Sequence, residues 1–375
     1  MTGVTLKTVA EVGLDAFIRV PYRLYADLPN WIPPLLLERR DALKAGGSPY
    51  RDRAEVEMWV AYRDGRPVGR ISAQVDPASL ARYPGVGHFG MIAAEDDAEV
   101  FDRLFEAAEA WLRARGMTAA LGPMNLSINQ ECGLLVHGFD TVPMMMMPHD
   151  PPYAAAHIER RGYAKARDLH AFVLDARTLP ERMVKVLKRK LSGGATVRPL
   201  NWKDYDAEVA RLVAIFNDAW ADNWGFVPMD EAEVAHLAKE LKPLIDRRLV
   251  YFAELDGAAF AFIVCLPNLN AAIGDLGGRL LPFGWAKLLW RLKVRGVTSG
   301  RVLLMGVTRA MAATGTGRLA PFHLIGKVHE EVLRQGINTI EIGWILEDNK
   351  PMLSIADALC GAPYRTNRIF ERALG

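Results

Sequence analysis

The same short pattern occurs once in each half of the chain, and it constrains the fold more than any other feature. The pattern is an Asp-Gly pair between two β-type runs: Asp64-Gly65 joins residues 56–63 to 67–76, and Asp256-Gly257 joins residues 250–255 to 258–266. Asp-Gly favours a two-residue hairpin turn, because both central residues of that turn need positive φ angles. Each half is therefore predicted to contain an antiparallel hairpin, and the two halves are predicted to be structural repeats.

The order of elements around each hairpin also repeats. The second half predicts strands and helices at residues 195–200, 204–220, 230–241, the hairpin, 301–309, 321–335, 337–346, 350–359 and 364–371. The first half predicts the same order at residues 4–9, 15–25, 35–43, the hairpin, 86–94, 98–115 and 117–123. The predicted fold class is α/β with mixed sheets. Two similar domains, residues 1–180 and 195–375, are expected on either side of a basic, Gly-containing linker at 181–194.

Composition excludes several classes of protein. No apolar run approaches the roughly 20 residues that cross a bilayer, and the N-terminus lacks a signal-peptide pattern. Cys132, Cys265 and Cys360 are far apart, which argues against a disulfide framework and against a thiolate metal site. A net charge of +2 argues against a nucleic-acid partner. The expectation is a cytoplasmic protein that does not span a membrane and binds no metal.

Charge is nevertheless distributed unevenly along the chain. Residues 276–329 contain no Asp or Glu, and they carry a series of cations: Arg279, Lys287, Arg291, Lys293, Arg295, Arg301, Arg309, Arg318 and Lys327. An anionic partner is therefore expected in this region.

A predicted insertion at residues 276–300 combines aromatic, aliphatic and basic residues. The apolar positions follow helical spacing at Trp285, Leu288, Leu289 and Leu292, with Trp290 on the flank, and the basic positions follow it at Lys287, Arg291 and Arg295. Such a helix suits the interface of an anionic membrane, where Trp285 and Trp290 would contact lipid. The alternative is that the apolar face packs on the domain.

A Gly-containing turn follows the predicted strand at 301–309. Thr314-Gly315-Thr316-Gly317 and Arg318 precede a predicted helix, and glycines there would let backbone N–H groups face a phosphate at the helix N-terminus. Asn349 lies where another strand ends and a helix begins, a position that suits either a helix cap or a ligand contact.

These features resemble the GNAT acyltransferase family. The family's signature Gln/Arg-x-x-Gly-x-Gly/Ala aligns with residues 312–317, although Ala312 stands at its first position. The resemblance implies that Thr314, Gly315, Thr316, Gly317, Arg318 and Asn349 hold an acyl-CoA as co-substrate, with no permanently bound cofactor. The tyrosine that many members use as acid is Ala356 here, so this role either moves to Tyr364 or is absent. In the first half, residues 94–97 are Ala-Glu-Asp-Asp, and carboxylates there would repel a pyrophosphate.

Residues 122–125, 129–133, 148–153, 281–285 and 345–352 are similar to segments of a bacterial family of double-GNAT proteins that includes the ceramide synthases. This resemblance implies transfer of a fatty acyl group from acyl-CoA to the amine of a long-chain sphingoid base. It also implies contacts of Asn129 and Glu131 with the substrate. The expected location is cytoplasmic, peripheral on the inner face of the inner membrane.

The expected reaction needs a base that accepts the amine proton. Glu347, at the end of a predicted strand, is the first candidate, and His149, which we expect Asp150 to orient, is the second. Two other functions remain open: a GNAT acetyltransferase acting on a small amine or a protein lysine, and a non-catalytic acyl-CoA or lipid binder.

Overall fold

The structure is a computed structural model that describes residues 3–243 and 245–375. The strands, in chain order, are β1 Thr5–Thr8, β2 Glu55–Arg63, β3 Arg66–Val75, β4 Val86–Ala94, β5 Ala119–Gly122, β6 Leu134–His137, β7 Ala164–Asp175, β8 Thr196–Pro199, β9 Val250–Leu255, β10 Ala258–Pro267, β11 Ser299–Val307, β12 Thr339–Leu346 and β13 Arg365–Ala373.

The helices, in the same order, are α1 Val9–Val12, α2 Leu14–Leu24, α3 Leu36–Leu43, α4 Pro49–Arg53, α5 Pro77–Leu80, α6 Ala98–Arg113, α7 Ala154–Arg160, α8 Glu181–Leu187, α9 Tyr205–Ala219, α10 Glu231–Leu241, α11 Leu269–Ile273, α12 Gly284–Trp290, α13 Arg309–Ala312, α14 Gly315–Arg334 and α15 Lys350–Cys360. These elements confirm the predicted mixed α/β fold class.

The chain forms two compact units, and neither is one continuous stretch of sequence. Unit 1 contains the described residues up to Leu169 together with Ile273–Trp285 and Arg365–Gly375. Unit 2 contains His170–Ala272 and Ala286–Tyr364. The last strand of the chain, β13, therefore lies in unit 1. The predicted division at residues 181–194 stays a prediction about the sequence repeats.

Unit 1 is built on a mixed sheet in the order β1-β2-β3-β4-β5-β13, with β6 also paired to β13. The β4–β5 ladder is parallel, whereas β13 runs antiparallel to both β5 and β6. Alternation along β2 gives the sheet two apolar faces. Trp59 and Ala61 belong to the cluster that includes Phe101 of α6, and Met58 and Val60 belong to the cluster that includes Phe17 of α2.

In unit 2 the strand order is the C-terminal half of β7, then β12, β11, β10, β9 and β8. The β11–β12 ladder is parallel, and β10 is antiparallel to both β9 and β11. Helix α14 covers one face of this sheet, where Leu324, Val328 and Val332 join a core that includes Ile263 and Ile342.

Both predicted Asp-Gly hairpins are present. Asp64 and Gly65 have φ angles of 52° and 74°, and Asp256 and Gly257 have φ angles of 51° and 78°. Two consecutive residues with positive φ are what the two-residue turn between twisted strands requires. The local sequence signal was therefore sufficient to predict these two connections.

The start of helix α14 corrects one prediction. The helix begins at Gly315 instead of Pro321, so the proline lies inside helix α14. Thr314 is the N-cap, and its side chain accepts a hydrogen bond from the Gly317 N–H. Proline often marks the start of a helix, but here the threonine cap determines where α14 begins.

Candidate functional site

Strands β11 and β12 separate part of the way along their length. Their ladder pairs Ser299–Val302 with Thr339–Ile342, whereas β11 continues to Val307 and β12 continues to Leu346. The carboxyl halves of two neighbouring parallel strands thus leave backbone groups that do not pair with each other. Such groups are available to an extended ligand that can make backbone-like hydrogen bonds.

A group of hydrogen-bonded polar side chains, most of them buried, lies where this ladder ends. Arg301 and Glu341 are register partners on β11 and β12, and they are 2% and 0% exposed. The Arg301 Nε lies 2.9 Å from the Glu341 Oε1, and the Arg301 Nη2 donates a 3.0 Å hydrogen bond to the carbonyl oxygen of Gly343. The Tyr364 hydroxyl donates to the other Glu341 oxygen. Arg301 therefore links the two strands at the point where their ladder stops.

The first turn of α14 has the properties expected of a phosphate site. The Thr314 Oγ1 accepts the Gly317 N–H at 3.0 Å, which leaves the amides of Gly315 and Thr316 at the positive end of the helix. A Cβ added to Gly315 would meet nothing within 4 Å, so this residue faces open space. A Cβ on Gly317 would lie 1.9 Å from the Met311 carbonyl oxygen. Gly315 thus leaves room for a ligand, and Gly317 permits close packing.

Arg318 is exposed on the same turn, and the next candidate residues lie after β12. Asn349 caps α15 by accepting the Met352 N–H at 3.3 Å, which is the structural role considered for it from sequence. Glu347 is half-buried in the turn between β12 and α15. Tyr364, Glu347, Asn349 and the α14 turn all belong to unit 2.

In unit 1 the corresponding helix N-terminus is occupied by a carboxylate. Asp97 caps α6 by accepting the N–H groups of Glu99 and Val100 at 2.9 and 3.4 Å. It also lies 2.6 Å from Arg63 Nη1, and this guanidinium lowers the pKa of Asp97. The side chain thus fills the position that an anionic ligand would take, as the acidic sequence there predicts.

His149 lies in unit 1 in surroundings that differ from the expected ones. Its Nε2 lies 2.9 Å from the carbonyl oxygen of Pro29, and its Nδ1 lies 3.3 Å from Arg365 Nη2. Burial, reinforced by the Arg365 charge, lowers the pKa of His149 to about 4. The expectation that Asp150 orients this imidazole is wrong, because the Asp150 carboxylate accepts the Leu135 N–H instead. The neutral ring accepts from Arg365 and donates to Pro29.

The two residues expected to contact the substrate on resemblance, Asn129 and Glu131, also lie in unit 1, and both are half-buried. The Glu131 Oε2 accepts from Asn125 Nδ2 at 3.1 Å and lies 3.7 Å from Arg39 Nη1. Arg39 was not predicted, because nothing in its local sequence separates it from the surface arginine at position 40.

The insertion places apolar side chains in solvent. Large exposed side chains are concentrated there: Leu281 at 79%, Phe283 at 78%, Trp285 at 51%, Leu289 at 50%, Trp290 at 51% and Val294 at 72%. Leu288 and Leu292 are half-buried, so the predicted apolar face is only partly packed. Arg291 is also half-buried, and its Nη1 donates to the carbonyl oxygen of Ala272 at 2.7 Å. Across residues 3–243 and 245–375, no helix is long and apolar enough to cross a membrane.

Comparison with known proteins identifies the family. The chain is 53% identical to the bacterial ceramide synthase of Caulobacter vibrioides, over 99% of this chain and 97% of that protein. The chain belongs to the family of this ceramide synthase. It is also 46% identical to the protein YghO of Escherichia coli, over 96% of this chain and 93% of that protein. No family model matches the chain.

Solved structures show the same fold at low sequence identity. A tandem GNAT protein from the clavulanic acid biosynthesis pathway superimposes with a TM-score of 0.56 at 14% identity, covering 99% of both chains. A GCN5-related N-acetyltransferase from Sphaerobacter thermophilus gives a TM-score of 0.55 at 12% identity, covering 99% of this chain and 96% of that one. The prediction of two GNAT-like folds in tandem is confirmed.

Proposed function

We propose that this member of the ceramide synthase family is an N-acyltransferase that transfers a fatty acyl group from acyl-CoA to the amine of a long-chain sphingoid base. The observation that carries the proposal is the 53% identity to the Caulobacter vibrioides ceramide synthase over nearly the whole of both chains. The GNAT-like fold and the separation of β11 from β12 support it, because the open first turn of α14 suits a phosphate and the strand edge suits an extended ligand.

In this proposal unit 2 binds the acyl-CoA. The amides of Gly315 and Thr316 and the exposed Arg318 hold the pyrophosphate, with Thr314 and Gly317 shaping the turn. The amide-containing pantetheine arm runs along the backbone groups that β11 and β12 leave unpaired with each other. Asn349 contacts the CoA with the part of its amide that the helix cap does not use.

The reaction joins the amine nitrogen to the thioester carbonyl carbon and breaks the carbon–sulfur bond. Glu347 accepts the proton that the amine loses on attack, which an accessible carboxylate near the end of β12 is suited to do. Tyr364 protonates the departing thiolate when its O–H turns from the Glu341 carboxylate to the sulfur. His149 stays a second candidate base, although both of its ring nitrogens already have partners.

The membrane surface is a second proposed partner. Leu281, Phe283, Trp285 and Leu289 are at least half exposed, and the cations Lys293 and Arg295 follow them in sequence and are exposed. Apolar side chains that enter the interface, together with cations attracted to anionic lipid, bind a protein peripherally. The inner face of the inner membrane is the proposed location, because a long-chain base partitions into lipid.

Mass spectrometry of the products formed by the purified protein from mixed acyl-CoAs and sphinganine tests this function. We expect N-acylsphinganine. Glu347→Gln should lower kcat by about 100-fold with little change in acyl-CoA affinity, whereas the neighbouring exposed Asp348→Asn should remain within a few-fold of the parent. Acylation of small amines or lysine peptides but not of sphinganine would contradict the proposal, as would acyl-CoA binding without turnover.

A further inference from the structure

The basic segment, residues 188–192, runs along helix α14 towards its first turn. Three contacts define this path: a Cβ added to Gly326 would lie 2.6 Å from Leu187 Cδ2, the His323 Nε2 lies 2.8 Å from the Arg189 carbonyl oxygen, and the Thr316 hydroxyl donates to the Ser192 carbonyl oxygen at 3.4 Å. Positions 316, 323 and 326 share one face of the helix, because helical residues at such spacings lie above one another. Both the segment and α14 belong to unit 2.

The basic segment carries three consecutive cations, Lys188, Arg189 and Lys190, and all three side chains are exposed. Arg318, in the first turn of α14, is exposed as well. Among the side chains that the structure describes, no carboxylate oxygen lies within 4.0 Å of the nitrogens of these four residues. The end of α14 at which a phosphate would bind is thus flanked by positive charge that no acidic side chain contacts.

Other cations of α13 and α14 do have acidic partners. Arg309 Nε lies 3.2 Å from an oxygen of Asp218, and Lys327 Nζ lies 3.1 Å from an oxygen of Glu330. The lack of an acidic partner is therefore a property of the basic segment and Arg318, and does not extend to every cation of these two helices.

The basic segment lies close enough to the first turn for one ligand to reach both. Ser192 is hydrogen-bonded to Thr316, and successive Cα atoms are 3.8 Å apart, so the Cα atom of Lys190 lies within about 8 Å of that of Ser192. A lysine side chain adds the reach of a flexible four-carbon stem. A ligand with one anionic group at the amides of Gly315 and Thr316 can therefore place a second anionic group against these cations.

CoA carries two such groups on one ribose: the pyrophosphate on the 5′ oxygen and a phosphate monoester on the 3′ oxygen. A phosphate monoester has a charge of about −1.5 to −2 at pH 7 and presents acceptor oxygens. Lys and Arg side chains supply donors and no acceptors, so they complement it. With the pyrophosphate at the first turn of α14, the 3′-phosphate is the group that suits the basic segment.

We propose that Lys188, Arg189 and Lys190 bind the 3′-phosphate of the acyl-CoA. The inference rests on the proposed function and deepens it, since it assigns the residues that distinguish acyl-CoA from a pantetheine thioester without the 3′-phosphate. These residues lie outside the Gly-containing motif at 312–317 and precede the second hairpin repeat in the sequence. Arg318 stays with the pyrophosphate, which CoA and 3′-dephospho-CoA have in common.

Calorimetric titration of the full chain with CoA and with 3′-dephospho-CoA tests this site. The combined variant Lys188→Gln, Arg189→Gln and Lys190→Gln should lower the affinity for CoA by tenfold or more and leave the affinity for 3′-dephospho-CoA within twofold of the parent value. Arg318→Gln should lower both affinities by similar factors. Lys239→Gln, at an exposed lysine of α10 in the same unit, is the matched control and should change neither affinity.

Equal affinity of the parent for the two ligands, or an unchanged preference for CoA in the combined variant, would overturn the 3′-phosphate site. If the combined variant fails to fold, Lys188→Gln with Lys190→Gln keeps Arg189 and should still lower the preference several-fold. Because binding is measured without turnover, the site and the reaction can fail separately. A preference for CoA that depends on these residues, without acylation of sphinganine, would refute the proposed function and leave the site standing. Acylation of sphinganine without that preference would refute the site alone.

Discussion

Gly315 and Gly317 are two residues apart but meet different physical requirements. A side chain at position 315 would project into open space, whereas one at position 317 would collide with the Met311 carbonyl oxygen. Neither residue has a positive φ, so conformational freedom does not explain either glycine. The motif match from sequence treated them as equivalent, whereas the structure shows open space at the first and close packing at the second.

This difference predicts how substitutions at Gly315 behave. Gly315→Glu should weaken acyl-CoA binding by tenfold or more, because a carboxylate would repel the pyrophosphate at the start of α14. Gly315→Ala should fold normally and bind within a few-fold of the parent, since the added methyl group meets no protein atom. Calorimetric titration with CoA measures both variants. A CoA affinity of Gly315→Glu equal to that of the parent would show that the pyrophosphate does not bind at this turn.

His149 predicts a pH dependence of stability. Its pKa is lowered to about 4 in the folded protein, from 6.5, so the unfolded chain binds more protons between these two values. The stability that the neutral imidazole contributes is therefore present above pH 6.5 and is lost as the pH falls towards 4. The full shift corresponds to about 3 kcal/mol.

Urea unfolding of the parent and of His149→Gln should show this effect. The stability difference between the two proteins should shrink by about 2 to 3 kcal/mol between pH 7 and pH 4. The exposed His137→Gln serves as the control and should show no comparable change. A difference that is constant over this range would mean that His149 is not held neutral by burial.

Some site residues carried a sequence signal and others did not. Asn349 was identifiable because a helix cap depends on a few neighbouring residues. Arg301 and Glu341 had a weak signal, since each is a single charge within an apolar strand, but their pairing depends on the β11–β12 register. Arg39 and Glu131 could not be connected, because α3 and the loop after β5 meet only through the tertiary fold.

At the scale of elements, both hairpins and most strands were predicted closely, β6 and β7 were not predicted, and the insertion was predicted only in outline. Its helical spacing was correct for α12, which then continues as a π-helical turn at Arg291–Arg295. Periodicity could not show which apolar residues pack, because a packed face and a lipid-facing one have the same spacing. Trp285 and Leu289 are exposed, whereas Leu288 and Leu292 are half-buried.

The insertion predicts membrane binding through exposed residues alone. Trp285→Ser with Leu289→Ser should reduce sedimentation with anionic vesicles several-fold, because these side chains are half exposed and contribute little to the core. Lys293→Glu with Arg295→Glu should do the same at low salt and have less effect at high salt. Charge reversal at Arg291 would not test membrane binding alone, since its side chain donates a hydrogen bond to the Ala272 carbonyl oxygen.

Leu333→Ser is the matched control for these variants, because Leu333 is an exposed leucine on α14, 42% accessible. It should leave sedimentation unchanged. The variants should also keep their rate on a short, soluble amine while acylating a vesicle-bound base more slowly. Vesicle binding equal to that of the parent would show that the segment has another role.

At the scale of the whole molecule, the sequence repeats predicted a division at residues 181–194, and they gave no sign that residues 365–375 belong to unit 1. Strand β13 pairs with β5 through residues such as Phe370 and Gly122, and with β6 through Asn367 and Leu135. Long-range pairing of this kind leaves no local signal, because a strand at the end of a repeat has the same pattern whichever sheet receives it.

Removal of residues 365–375 should therefore damage unit 1. The deletion exposes the edges of β5 and β6 and removes Phe370, which is fully buried in the α6 core. We expect the shortened protein to aggregate, and limited proteolysis of any soluble fraction to cut first within residues 3–169. Glu371→Gln, at an exposed position of β13, is the mild control and should be as stable as the parent. Proteolysis that begins in unit 2 would contradict this expectation.

The position of β13 in the sequence also determines when β5 gains its partner strand during translation. The neighbouring strand β5 is complete once Gly122 has been added, but its partner β13 begins only at Arg365. At about 5 to 20 residues per second, a ribosome needs roughly 10 to 50 seconds to cover that interval. Throughout it, the nascent chain presents an open β-edge to its surroundings, so the unit that is translated first is the last to close.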